Sequence, residues 1–307
     1  MRRIPAVFSV LSLSALALVG CASAQPGDAA GCERPVSDST VLDVIDASGE
    51  LGQPTVSLGS PVHVDDTVFT DLTVGEGAAV TTRAQDVQFT VAIANGSSGE
   101  TIIASGTQVT PLSNWAEHYE GIAVMLECAT EGSRVVGAIP ASDLSETAAA
   151  DLGLTEGDAA AIVIDLQRVY LPAANGAPQY NDRPGMPSVV LDPSGRPGII
   201  VPDADAPTEQ VVEVLKKGDG AEVTAADSVR VHYTAVDWDD RTVVASTWTD
   251  GASAAVTLAG EGPEFAAALE GQTVGSQLLV VVPAADDAAS ATVYVVDILG
   301  TDLVATQ

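Results

Sequence analysis

The sequence predicts an α+β fold made of two copies of one module, each an antiparallel β-sheet wrapped around one short helix. Three observations lead there. Sliding the 307-residue chain by 143 positions aligns VGEGAAVT (residues 74–81) with KGDGAEVT (217–224), LECATEGSRVVGAIPASD (126–143) with LEGQTVGSQLLVVVPAAD (269–286), and GQPTV (52–56) with GRPGI (195–199). Several ungapped matches at one offset mark an internal duplication. Within each copy, segments such as SVRVHYTAV, SQLLVVVPA and ATVYVVDIL carry the alternating or β-branched patterns of strands. Between the strands, one segment per copy carries helix signals.

Taken in order, residues 1–21 read as an export signal. Arg2 and Arg3 precede an apolar run that ends near Val19, and a small residue precedes Cys21. The run falls short of the about 20 residues that span a bilayer. The LVGC stretch ending at Cys21 resembles the bacterial lipobox, which implies a lipid on the Cys21 thiol and a chain tethered to the outer face of the cytoplasmic membrane. Residues 22–50 are expected to form an acidic tether. Cys32 and Cys128 remain, and in an exported chain they are expected to pair as a disulfide, the alternative being two isolated thiols.

The first copy is assigned to residues 51–171, with LSNWAEHYEGIAVMLEC as its helix and Trp115, Tyr119 and Met125 on the face that packs on the sheet. Residues 172–198, rich in Pro and Gly, are expected to be a linker plus an entry strand. The second copy occupies residues 199–302. Its short helix is expected in GPEFAAALEG, where Pro263 suits a first helical position, Phe265 and Leu269 share a face, and Gly271 suits the cap. ETIIAS (100–105) matches RTVVAS (241–246) after a two-residue shift, as a loop indel would produce.

Composition limits the function. With 12 Lys+Arg against 42 Asp+Glu, the formal net charge of -30 repels nucleic acid and anionic lipid headgroups. The three histidines, His63, His118 and His232, lie far apart with no ligand spacing, so neither zinc nor another metal is expected, and nothing implies a cofactor. His232 alternates with Val231 and Tyr233 and is expected to face solvent.

In the second copy, VLKKGDGAEVTAADSVRVHYTA, GPEFAAALEGQTVGSQLLVVVPA and TVYVVDIL together resemble an FKBP-type peptidyl-prolyl cis-trans isomerase. The G-D-G entry, the V-x-Y-T strand, the helix ending A-L-x-G, the V-G-S-Q turn and the V-V-D-I-L strand occur in the family's order. The resemblance covers residues 211–300 and extends more weakly, through the repeat, to 68–169. It implies two FKBP-like domains, the first degenerate, and proline-containing polypeptide segments as partners. Such chemistry needs neither nucleophile nor metal. A dry aromatic cradle and a hydrogen bond to the substrate backbone favour the twisted amide over the planar one, against a barrier of about 18–20 kcal/mol.

Carried over by position, the resemblance implies Tyr233, Phe265 and Tyr294 as the retained catalytic cradle. The family's F-D-S-S reads VAST here, so Val244 stands for the wall phenylalanine and Ala245 for the aspartate. Its V-I-P-G-F reads EGPEF, which places Glu261 and Gly262 at the rim. Trp248 is open between a hydrophobic edge and the pocket rim. The short PAADDAASA stretch leaves little room for the family's cover loop. At the matching positions the first copy carries Val91, Ile122 and Ile162, with Ile103 opposite Val244, so aromatics there are not required for folding. The first copy is therefore expected to be a non-catalytic module for spacing or binding. Three functions are compatible with these residues: a weakened isomerase that assists folding of secreted or cell-surface proteins, a non-catalytic FKBP-like binding or chaperone module, and a structural envelope protein without a pocket.

Overall fold

Two large antiparallel sheets of matching strand order, each joined by a separate two-stranded hairpin, make up the computed structural model, which describes residues 32–35, 40–106, 108–181, 183–259, 262–286 and 289–302. The signal segment, Cys21 and Glu261 lie outside the described residues. The first half contains strands β1 (Ile45–Ser48), β2 (Thr55–Leu58), β3 (Val68–Thr73), β4 (Asp86–Asn95), β5 (Thr101–Gly106), β6 (Thr110–Pro111), β7 (Arg134–Pro140) and β8 (Ala159–Val169), with helices α1 (Leu112–Ala116), α2 (Glu120–Leu126) and α3 (Glu146–Asp151). In the second half lie β9 (Ala177–Pro178), β10 (Ser188–Leu191), β11 (Pro197–Ile200), β12 (Val211–Lys217), β13 (Ser228–Asp237), β14 (Val243–Ser246), β15 (Ala254–Thr257), β16 (Gln277–Val282) and β17 (Thr292–Thr301), with α4 (Thr247–Asp250). A 3-10 turn spans Ala266–Leu269.

The sheets run β3-β7-β8-β4-β5 and β12-β16-β17-β13-β14, with β6 and β15 pairing the start of the fourth strand and β9 added outside β12. Even the irregularities repeat. Register breaks fall between Asp71 and Thr73 and again between Val214 and Lys216, between Gln88 and Phe89 and again between Arg230 and Val231, and between Ile93 and Ala94 and again between Ala235 and Val236. The repeated G-x-G has a local cause. Gly75 and Gly218 each donate a backbone N–H to a serine hydroxyl, Ser133 or Ser276, at 2.9 Å, while Thr130 or Thr273 donates back to the glycine carbonyl. A Cβ at either glycine would lie about 2 Å from a backbone oxygen, 2.0 Å from Glu131 O or 2.1 Å from Val274 O, so only glycine fits.

Each sheet buries both faces, which the strand patterns alone do not reveal. In the first half, Phe89, Val91, Ile162 and Ile164 pack under α1 and α2, while the small residues Ala92, Ala94, Ala138 and Ala161 on the reverse face pack against Ile45 and Val56 of the β1–β2 hairpin and Leu42 of the 3-10 turn before it. The second half repeats the plan: Val231, Val280, Val296 and Ile298 face the 3-10 turn, and Val281, Val293 and Val295 on the other side meet Val189 and Ile199 of the β10–β11 hairpin. The expected boundary at 50/51 thus falls inside a hairpin, and the stretch expected as a linker, 172–198, contains β9, β10 and the start of β11. Pro and Gly here shape tight turns rather than a flexible spacer: Asp192 accepts from Ser194 and Arg196 amides, and Gly195 takes φ 95°.

The helices also differ from expectation. The single helix expected over 112–128 is broken into α1 and α2, because Tyr119 leaves helical geometry at φ -135° and ψ 66° and bridges to Leu144. The helix expected in GPEFAAALEG is one 3-10 turn, followed by Gly271 at φ 74°. Cys32 and Cys128 are disulfide-bonded with Cα atoms 5.6 Å apart, and next to them Arg34 donates to both Asp71 carboxylate oxygens and to Glu127 O.

The halves meet at a polar seam around Tyr170, which is fully buried. Its hydroxyl donates to Asp302 at 2.8 Å, the Arg230 guanidinium lies over its ring and donates to Asp302 at 2.7 Å, and Arg168 donates to Thr301 O. Asp86 accepts from Ser253 across the same seam, and burial pushes its carboxyl above the usual range.

Candidate aromatic site in the second half

Strand alternation directs Tyr233 of β13 and Tyr294 of β17 to one face of the sheet. The 3-10 turn then delivers Phe265 between them. Ring centroids stand 5.2 Å apart for Tyr233 and Phe265, 5.1 Å for Phe265 and Tyr294, and 6.3 Å for the two tyrosines, all tilted by 53° to 55°. Tilted aromatic pairs at such separations stabilise by about 0.5–1.5 kcal/mol each beyond area burial. Phe265 is fully buried as the floor, while both tyrosines are half-buried and reach the surface.

The same face is closed in the first half. Val91, Ile122 and Ile162 occupy the corresponding positions and are buried. Over them lies an aromatic row in which Trp115 stands 4.9 Å from Phe89 and 5.9 Å from Tyr119, the tryptophan supplied by α1 and the tyrosine by the residues after it. In the second half the chain from Leu258 to Glu264 is shorter, and among the described residues no helix lies there. Among the described residues that helical cover is absent, and both tyrosines reach the surface.

The two tyrosine hydroxyls differ. Tyr294 donates to Glu264 Oε2 at 3.0 Å, and burial together with that carboxylate raises its pKa. The Tyr233 hydroxyl has no hydrogen-bond partner among the described residues, which leaves it available to a ligand. Glu264 is absent from the residues expected at the site, although its place beside Phe265 in GPEF was a signal. Gly262 is exposed beside this rim.

Other expected site residues separate. Ala245 pairs with Ala235, two residues from Tyr233 on the same face of β13, and so sits near the trio without supplying an acid. Val244 is an exposed residue at the register break of the β13–β14 ladder. Trp248 is at neither the pocket rim nor a hydrophobic edge. It stacks on His232 with centroids 4.3 Å apart and planes 28° apart, on the opposite side of β13 from Tyr233. His232 is correspondingly not a solvent-facing histidine. Its Nδ1 lies 3.0 Å from Thr247 Oγ1, and burial pulls its pKa down to about 4.

Solved structures of FKBP domains resemble this fold. The three FKBP domains of wheat FKBP73 match 77% of this chain and 94% of their own at 14% identity and a TM-score of 0.34. FkpA from Escherichia coli matches 39% of this chain and 53% of its own at 21% identity and a TM-score of 0.28. FKBP12 from Mycobacterium tuberculosis matches 31% of this chain and 86% of its own at 25% identity and a TM-score of 0.26. No family model matches the sequence, and no curated protein does. With TM-scores below 0.5 these likenesses add no weight to a functional reading, which rests on the strand order and the aromatic trio.

Proposed function

We propose that the second half binds proline-containing polypeptide segments on the Tyr233–Phe265–Tyr294 face and speeds their cis-trans isomerisation weakly, as a folding helper for secreted or cell-surface chains. The carrying observation is the aromatic trio, present and partly open in one half, aliphatic and covered in the other. A proline ring seated against Tyr233 and Tyr294 above Phe265 leaves water, and desolvation of the amide lowers the cost of losing its resonance. The Tyr233 hydroxyl and the Gly262 amide are donors for the substrate carbonyls. A hydrogen bond that strengthens as the amide twists lowers the barrier, whereas one of constant strength only aids binding. In this reading residues 1–21 direct export, and a lipid on Cys21, the N-terminus left after cleavage, tethers the protein to the outer face of the cytoplasmic membrane.

A non-catalytic binder is the second reading, favoured by Ala245, which leaves the position of the family's aspartate without an acid. A protease-free prolyl-peptide assay separates the two, comparing wild type with Tyr233→Phe and Phe265→Ala. Rate enhancement lost in both variants supports the isomerase. Peptide binding without enhancement selects the binder, and neither at high protein concentration defeats both. Cys21→Ala is expected to release the protein from the membrane fraction, and unchanged fractionation would refute the anchor.

A further inference from the structure

The aromatic face carries a carboxylate for which its counterpart in the first half has no room. Glu264 stands between Pro263 and the buried Phe265, in a turn closed by the Ala266 N–H donating to Pro263 O at 2.8 Å. Its side chain is exposed, yet one oxygen is fixed, because Oε2 accepts from the Tyr294 hydroxyl at 3.0 Å. That bond holds the carboxylate beside the trio and leaves Oε1 without a hydrogen bond among the described residues. No Lys, Arg or His among them forms an ion pair with it either.

The repeat supplies a comparison. At the offset of 143, Glu264 falls on Gly121 of α2, where a Cβ would meet the buried Ile139 side chain at 2.5 Å. Packing excludes a side chain there. A charged group at this position is therefore a property of the second half, where the helical cover is absent and Tyr294 replaces an isoleucine.

We propose that Glu264 makes the aromatic face selective for proline segments that carry an arginine or lysine next to the proline, and against those that carry an acid there. The assignment rests on the reading of the Tyr233–Phe265–Tyr294 face as a prolyl-peptide site. A proline ring seated above Phe265 brings its neighbours in the peptide close to Glu264, which adjoins Phe265 in the chain. A cation there reaches the free carboxylate oxygen, and a guanidinium can lie against an exposed tyrosine ring as well. An acidic neighbour instead meets like charge within the field of a chain with a net charge of -30. Because the carboxylate is exposed, the gain is that of a surface ion pair, about two- to fivefold in affinity. Salt screens it.

The test titrates the full chain by calorimetry, at high protein concentration, with acetylated and amidated peptides Ala-Xaa-Pro-Ala-Ala in which Xaa is arginine, leucine or glutamate. A second series places Xaa after the proline. In at least one series the arginine peptide is expected to bind about two- to fivefold more tightly than the leucine peptide at low salt, and the glutamate peptide more weakly than either. High salt is expected to shrink these differences. Glu264→Gln keeps an acceptor for Tyr294 and removes the charge, so the arginine-to-leucine ratio is expected to fall to about one. Glu156→Gln, at an exposed acid of the first half, is expected to leave the preference in place. Equal binding of the arginine and leucine peptides by the wild type in both series, or a preference that survives Glu264→Gln, overturns the proposal while the prolyl-peptide site stands. Failure of every peptide to bind overturns both.

Discussion

Burial of His232 makes stability fall as pH falls. In the folded chain the ring stacks on Trp248 and burial brings its pKa from 6.5 down to about 4. The unfolded chain therefore takes up the proton first as pH drops. Stability contributed by the neutral ring is complete above the unfolded value and is lost as pH moves from 6.5 toward 4. At about pH 5 the unfolded imidazole is almost fully protonated and the folded one almost neutral, which corresponds to about 2 kcal/mol lost relative to pH 8. Urea unfolding at both pH values, on wild type and His232→Asn, measures this. Carboxylate titration is common to both proteins, so the wild-type loss is expected to exceed the variant's by about 2 kcal/mol. Equal losses would refute the burial of the imidazole and with it the stacking on Trp248.

Phe265→Ala removes a fully buried ring that touches both tyrosines, and is expected to cost about 3–5 kcal/mol in urea unfolding. A loss below about 1 kcal/mol would mean that the floor is not packed as described. Arg134 holds Asp165 through two hydrogen bonds, at 2.6 and 2.8 Å, and also donates to the carbonyls of Gly49 and Glu50. The Asp165 side chain is fully buried, so Arg134→Ala strands its charge and is expected to destabilise by about 3–5 kcal/mol, whereas a surface ion pair would give less than about 1. At the seam, a Cβ on Gly300 would lie 2.8 Å from the Tyr170 ring. Gly300→Ala is expected to displace that ring and cost about 1–3 kcal/mol, and calorimetry showing an unchanged transition would refute the close contact.

The duplication, the strands and the aromatic identities were legible in the sequence because they are local or periodic. An offset of 143 carries the G-x-G turns into register, and that turn needs glycine for a backbone reason confined to a few residues. Alternation along β13 likewise placed Tyr233 inward. The same alternation failed for His232, since it reports which side of a strand a residue takes and not what covers that side. Here the cover is Trp248 on α4 and the proline-bearing connection, remote in sequence or without pattern. The hairpins β1–β2 and β10–β11 were misread for a related reason. Their turn-forming residues resemble a linker, and only their packing on alanine- and valine-rich sheet faces distinguishes them.

By itself, then, the sequence determined a repeated sheet module with an aromatic trio in one copy and aliphatic residues in the other. Tertiary structure decided that the trio converges, that Glu264 engages one of its hydroxyls, and that Trp115 of α1 and Tyr119 after it pack over the equivalent face of the first half. It also decided that the halves meet at Tyr170. Periodicity encodes the face on which a side chain lies, whereas covering, pairing and desolvation depend on which distant segments arrive there.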